Sequence, residues 1–196
     1  IWITQFTGKD FSNTPFTYVF FSSGGMGARP DKDGISATAF PSGIQGVPAE
    51  IIENVSPLVM EQRALVPDSG GPGKFRGGLG QEMILSVRAA EPVIHSAMYD
   101  RTKFPALGFA GGKNGGLGDF FLSDGTHPHP KAQYRLAPDK KVILRLPGGG
   151  GFFSPLDRDP ALVRQDVRNG YISRQAAREH YGVILDEEPV SDKSSS

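Results

Sequence analysis

Glu82-Met83-Ile84-Leu85-Ser86-Val87-Arg88 places Met83, Leu85 and Val87 on one side of an extended chain and Glu82, Ser86 and Arg88 on the other, with Ile84 the one dissenter. A period of two is the mark of a half-buried β-strand. Residues 141–146 repeat it, with Val142, Leu144 and Leu146 expected toward a core and Lys141 and Arg145 toward water. Further short apolar or β-branched runs at 1–6, 17–21, 49–55, 57–66, 92–98 and 119–122 read as strands in the same way. The runs at 82–88 and 92–98 are close enough to predict a hairpin through Ala89 to Glu91.

Between these runs lie glycine clusters: 24–27, 69–73, 77–80, 111–116 and 148–151. With 26 glycines and 16 prolines in 196 residues, long and numerous loops are expected, and no internal repeat points to a solenoid or propeller. The last quarter is different. Asp159-Pro160 is an N-cap with proline at the first helical position and Asn169-Gly170 is a stop, so 160–168 should be a helix burying Leu162, Val163 and Val167. A second helix should start at its cap Ser173, with Ile172 and Ala177 packing across the cap, and end at Gly182. Residues 183–185 then read as a short strand and the charged, serine-rich 186–196 as a disordered tail. The fold expected is α+β: mainly antiparallel β with long Gly-rich loops and a C-terminal helical hairpin, in one domain over 1–185.

Composition excludes several functions. Twenty-one basic residues balance twenty-one acidic ones without a long run of either sign, which argues against nucleic acid or an anionic membrane as partner. The apolar runs are too short for a membrane helix. Without cysteine there is no disulfide, thiolate metal site or cysteine nucleophile, which fits a cytoplasmic location. No secretory leader is visible, and a start inside the strand-like Ile1-Trp2-Ile3 without an initiator Met is what a fragment would show.

Few residues nominate themselves for chemistry. The glycine clusters do not have P-loop spacing, and 152–159 separate Gly148–Gly151 from the next helix, so tight turns or close backbone approach are the better reading. Arg29, crowded among glycines with Asp31, Lys32 and Asp33, could meet a carboxylate or a partner subunit. Asp68, Ser69 and Arg76 sit in a similar loop; Ser69 lacks an identifiable histidine partner and reads as a turn former rather than a nucleophile. Asp124, His127 and His129 are a weak metal set, since prolines stiffen the segment and no further ligand is evident, and a solvated loop is the better reading. His95 should be a satisfied, partly buried strand residue, and His180 suits the C-terminal end of a helix.

The order of the motifs is more specific than any of them. Gly24-Gly25-Met26-Gly27-Ala28-Arg29-Pro30, Asp33-Gly34, Phe40-Pro41-Ser42-Gly43 and the run from Pro67-Asp68-Ser69-Gly70-Gly71-Pro72-Gly73 to Lys74-Phe75-Arg76-Gly77-Gly78-Leu79-Gly80 resemble successive signatures of the hydantoinase B/oxoprolinase family. Pro147-Gly148-Gly149-Gly150-Gly151, then Pro155-Leu156-Asp157-Arg158-Asp159-Pro160, Asp166-Val167 and Ala177-Arg178-Glu179-His180-Tyr181-Gly182 are similar to the way such subunits finish. One departure is Phe152-Phe153-Ser154, where relatives more often carry an aromatic, a glycine and a polar residue.

The resemblance implies the C-terminal portion of an N-methylhydantoinase B-type subunit, acting in ATP-dependent hydrolysis of cyclic amides such as hydantoin, N-methylhydantoin or 5-oxoproline. An acetone or acetophenone carboxylase-type subunit, or a non-catalytic assembly module, remains open. ATP with magnesium, and a further divalent metal, would belong to the full complex and no cofactor to this portion. The implied partners are an A-type subunit and the rest of its own subunit in a homo- or hetero-oligomer, and the portion alone should be inactive. The family's metal-type motifs lie upstream and do not match His127 and His129. Pocket or interface candidates are Arg29, Asp68, Arg76, Gly148, Gly149, Gly150 and Gly151, with the catalytic residues undetermined.

Overall fold

In the computed structural model, which describes residues 1–39, 43–44 and 46–185, two four-stranded antiparallel sheets face one another. The first contains β1 (Trp2–Lys9), β2 (Pro15–Ser22), β5 (Val93–Met98) and β7 (Gln133–Leu136), in the order β2-β1-β5-β7. The second contains β3 (Leu58–Leu65), β4 (Gln81–Val87), β6 (Asp119–Leu122) and β8 (Val142–Arg145), in the order β3-β4-β8-β6. Inward side chains of both sheets make one core: Trp2, Phe6, Phe20, Val93 and Leu136 from the first meet Leu58, Met83, Leu85, Phe120, Val142 and Leu144 from the second. This is the face-to-face packing of a β-sandwich, and the alternation at Met83, Leu85 and Val87 places each of them in its core.

Three readings of the β region change. Ala49–Val55 is a helix, α1, rather than a strand. Its β-branched residues suggested extension, but only Ile52 is buried, while Ile51 and Val55 are exposed, so the segment needs one inward position per turn and not alternate ones. The expected hairpin of β4 and β5 does not form: β4 is flanked by β3 and β8, and β5 by β1 and β7, so the link at residues 88–92 crosses from one sheet to the other. Residues 133–136, too polar to read as a strand, pair with β5 at the sheet edge.

The C-terminal hairpin follows its sequence signals. Helix α2 (Pro160–Arg168) has the Asp159 side chain accepting from the Ala161 N–H, and α3 (Arg174–Tyr181) has Ser173 accepting from Ala176. Gly182 closes α3 at φ 68°, in the left-handed region glycine enters without penalty. Val163, Ile172, Ala176, Ala177, Tyr181 and Val183 form its small core, with Val167 packed against it. Leu162, expected inside, is exposed, and the inward place one turn on is taken by Asp166. Residues 183–185 pair with no strand; Val183 donates to the Ala177 carbonyl and packs on α3. The tail expected at 186–196 lies outside the described residues, as do Phe40, Pro41 and Ser42 of one motif.

Between sandwich and hairpin the glycine clusters form a third body. Residues 147–151 run through its middle, and their backbone bonds reach neighbours on several sides. The Pro147 and Gly150 carbonyls accept from Gly25 and Ala28, Gly149 accepts from Gly71 and donates to Gly78, Gly148 donates to Gly116, and Gly151 donates to Lys113 and accepts from Phe109. A β-strand has two lateral neighbours, whereas this stretch bonds to more than two segments. The glycine pairs 24/27, 70/73, 77/80, 112/115 and 148/151 are each spaced three residues apart. None of these residues lies in the left-handed φ region, so close backbone approach rather than turn geometry is what requires glycine here.

A methyl on Gly148 would overlap the Ser69 carbonyl, and one on Gly149 the Met26 carbonyl, whereas one on Gly27 would sit 3.9 Å from the Gly150 oxygen. Gly148→Ala or Gly149→Ala is therefore expected to cost about 3 kcal/mol or more in urea unfolding, and Gly27→Ala less than about 0.5 kcal/mol.

Candidate functional site

The polar centre of the molecule lies where the glycine bundle meets the helical hairpin. Arg158, just before α2, is 4% exposed and places both terminal guanidinium nitrogens on Asp33, Nη1 to Oδ1 at 2.8 Å and Nη2 to Oδ2 at 2.7 Å. Nη2 also reaches Asp166 Oδ2 at 2.8 Å, and Nη1 the Lys74 carbonyl at 2.9 Å. Arg76, equally buried, donates Nε to the same Asp166 oxygen at 3.2 Å and Nη1 to the Gly77 carbonyl, and lies over the Tyr171 ring. The Arg76 backbone N–H returns to Asp33 Oδ1 at 2.7 Å. Two arginines and two aspartates thus neutralise one another, as charges withdrawn from water must.

Burial would raise the Asp33 carboxyl, but the Arg158 hydrogen bonds and charge, with the Arg76 N–H, outweigh it and hold Asp33 below the usual carboxylate range. Tyr181, buried beside this network, is pushed up to about 12 by desolvation.

The sequence candidates are distributed around this centre. Arg76 is inside it and does not face solvent. Asp68, at φ 61°, is exposed; its Oδ1 accepts from the Ser173 N–H at 2.8 Å and its own N–H donates to the Tyr171 carbonyl, so it ties the loop to the helix–helix connection. Arg29 is exposed at a loop tip, its backbone paired with Lys32. Gly149 and Gly151 commit their N–H groups to carbonyls, and so do Gly71, Gly77 and Gly78, which leaves these amides unavailable to a phosphate. The Ser69 hydroxyl donates to the Val66 carbonyl at 2.6 Å and accepts from the Gly80 N–H at 2.9 Å, a turn role.

Asp124, His127 and His129 are not brought together. Asp124 pairs with Lys140 and accepts from Thr126, His127 lies 3.3 Å from Asp119, and His129 Nδ1 accepts from Lys131. Among the described residues no group of three or more His, Cys, Asp or Glu could hold a metal ion. His95 is fully buried rather than partly: Nε2 meets the Tyr99 hydroxyl at 3.2 Å, Nδ1 has no partner, and desolvation lowers its pKa to about 3, so it stays neutral.

A cleft of about 670 Å³ separates the bundle from α3, with Asp68, Lys113, Asn114, Ser154, Glu179 and His180 on its walls and Gly70, Gly115 and Gly116 on its floor. A smaller one of about 270 Å³ lies at Gly24, Gly25, Thr38, Arg101 and Gly148. The sequence reading missed Arg158 and Asp166. Both stand in the motifs that carry the family resemblance, but the local signal is weak: Asp166 is a charge on a helix face beside Val163 and Val167, Arg158 lies just before the helix, and a surface pair would look the same.

The family model for hydantoinase B/oxoprolinase matches residues 1–155, the whole sandwich and the glycine bundle. The chain belongs to the hydantoinase B/oxoprolinase family. Caprolactamase subunit beta of Pseudomonas jessenii is 35% identical over 159 residues, covering 75% of the chain and 26% of the relative. The acetone carboxylase alpha subunit of Xanthobacter autotrophicus is 28% identical over 204 residues, 84% of the chain and 26% of the relative. The crystal structure of the ATP-dependent caprolactamase from Pseudomonas jessenii superposes with a TM-score of 0.80 at 29% identity, over 98% of this chain and 35% of that one. The chain spans about a quarter to a third of the length of the curated relatives it matches. Among the described residues no helix is long and apolar enough to cross a membrane.

Arg158→Met takes the shared guanidinium from the buried Asp166, which keeps Arg76, and from the partly exposed Asp33, and is expected to cost about 3 kcal/mol by denaturant unfolding. Because Asp33 is held below its unfolded value, its contribution is full above the unfolded carboxylate pKa of about 4 and is lost as pH falls through the folded one. Asp33→Asn should therefore be less stable than the parent at pH 7, with the difference shrinking in stability measurements below about pH 4.

Proposed function

We propose that this chain is the C-terminal portion of a hydantoinase B-type subunit that takes part in ATP-dependent hydrolysis of a cyclic amide of the hydantoin, N-methylhydantoin or 5-oxoproline type. The observation that carries the reading is the match, over nearly the whole chain, to a protein whose structure is described as an ATP-dependent caprolactamase. A ring amide resists water because resonance delocalises the nitrogen lone pair into the carbonyl. Moving a phosphoryl group from ATP onto the carbonyl oxygen removes that resistance, and water then attacks the carbon.

The chain's own residues support a positioning role in this chemistry. ATP with magnesium, and a further divalent metal, are assigned to the complex beyond this chain, in which an A-type subunit is the partner. Asp68 on the large cleft, Arg29 on its loop, and Gly148 to Gly151 with Arg76 behind them are the proposed pocket or interface, and the buried network gives their loops a rigid base. The cytoplasm is the proposed location.

A carboxylase is the second reading, favoured by the similarity to an acetone carboxylase subunit. ATP hydrolysis by the protein together with its A-type subunit separates the two. Turnover driven by hydantoin, 5-oxoproline or a related lactam and indifferent to bicarbonate is the expected result. Turnover that requires bicarbonate and a ketone would place the protein among the carboxylases. ATP turnover by the A-type subunit that proceeds equally without this protein would reduce it to an assembly module.

A further inference from the structure

His127, His129 and His180 are exposed, whereas His95 is 0% exposed. In the first sheet His95 lies between Phe6 of β1 and Tyr134 of β7, opposite both in register. Its ring meets Phe6 edge on at 4.7 Å between centroids, stacks on Phe120 of the opposite sheet at 5.6 Å, and is 4.9 Å from Tyr134. Nε2 shares a hydrogen bond of 3.2 Å with the Tyr99 hydroxyl, which is itself 3.1 Å from Thr4 Oγ1, while the Tyr99 ring stacks on Trp2. His95 Nδ1 and the Tyr134 hydroxyl are both buried without a partner.

This setting accepts the neutral ring only. The elements around it present Thr4 and Phe6 from β1, Tyr99 just beyond β5, Phe120 from β6 and Tyr134 from β7, none of them charged. Burial pushes both tyrosine hydroxyls above their usual range, so neither supplies a counter-charge. A proton on Nδ1 would place a cation in the core with no carboxylate to meet it, and such a charge must reach water.

The routes to water differ. On one side β1 is itself covered by β2, and across the core Phe120 is buried under the second sheet. On the other side β7 is an edge strand of four residues, paired with β5 alone. Gln133 and Arg135 are exposed there, and only Tyr134 and Leu136 turn toward the core. One of the two side chains that anchor β7 is therefore the ring against His95.

We propose that His95 is a proton-sensitive latch on β7: the neutral ring holds the strand on the sheet, and protonation at Nδ1 releases it so that the imidazolium reaches water. Every group involved belongs to this chain, so the inference is independent of the function proposed above. A ring that is neutral while β7 is closed and free to titrate once it opens ties opening to pH. The closed state is fully favoured above the unfolded histidine pKa of about 6.5 and loses that advantage as pH falls below it. Each pH unit between about 6 and 4 should raise the opening equilibrium close to tenfold. The Asp33 contribution is lost only below about pH 4, so the two effects occupy separate windows.

Hydrogen exchange of this chain, read by mass spectrometry as protection factors corrected for the intrinsic rate, tests the latch between about pH 7 and pH 5. In the parent, amides of residues 131–136 should lose close to tenfold in protection from about pH 6 to pH 5, while β4 and β8 stay within about twofold. His95→Phe, whose ring cannot titrate, should abolish the change. His95→Gln, which keeps a hydrogen-bonding group for Tyr99 and also cannot titrate, should do the same. The readout is a ratio within one protein, so a lower starting stability of either variant does not imitate the result. Replacing the exposed His127, His129 and His180 together by Gln should leave the change as in the parent. A parent whose β7 protection is equal at the two pH values, or a His95→Phe or His95→Gln variant that keeps the fall, overturns the latch. Loss of protection in β4 and β8 as steep as in β7 also overturns it, because opening is then global and β7 is not what His95 releases.

Discussion

Everything else in this chain is arranged around the absence of side chains on residues 148–151. Four successive glycines let one stretch of backbone be approached from several sides at once, and its carbonyls and amides then bond to the segments at 24–28, 70–78 and 107–116. A buried polar backbone must satisfy its hydrogen bonds, and here it does so through other irregular segments instead of through a sheet. Loops that would be mobile on most proteins become an interior body. The small 3-10 turn at Pro155–Asp157 and helix α2 then follow directly from its end.

The arginine–aspartate network is the second constraint, because it joins what the glycine bundle and the hairpin do not share. Asp33 comes from the first glycine loop, Arg76 from the second, Arg158 and Asp166 from the hairpin. Buried ion pairs are poor sources of net stability but costly to break singly. The hairpin, whose apolar core is confined to Val163, Ile172, Ala176, Ala177, Tyr181 and Val183, is keyed to the bundle by charge and by Asp68 at the Ser173 amide.

Function follows the same division. The sandwich is a conventional core, and the large cleft beside α3 belongs to the bundle and its margins. Membership in the hydantoinase B/oxoprolinase family was legible from the order of the glycine motifs, and most of their glycines, Gly25, Gly77, Gly148 and Gly149 among them, answer to a backbone contact too close for a side chain. The candidate site was legible only in part. Asp68 and Arg76 were singled out for their setting among glycines, and both prove to tie loops to the hairpin, one at the surface and one in the interior.

Local rules were sufficient wherever an element's signals lie within its own residues. Met83, Leu85 and Val87 alternate, Asp159 and Ser173 cap, and Gly182 terminates, because each of these acts over a few bonds. The pairing of β4 with β8 and β5 with β7, the helix at 49–55 and the burial of Arg158 with Asp33 depend on partners far along the chain, up to 125 residues away. Whether a charge is buried, or which sheet a strand joins, is decided by what the rest of the chain brings to it. The residues alone determined the β-rich class, the hairpin and the need for close glycine contacts; the tertiary structure decided where those contacts converge.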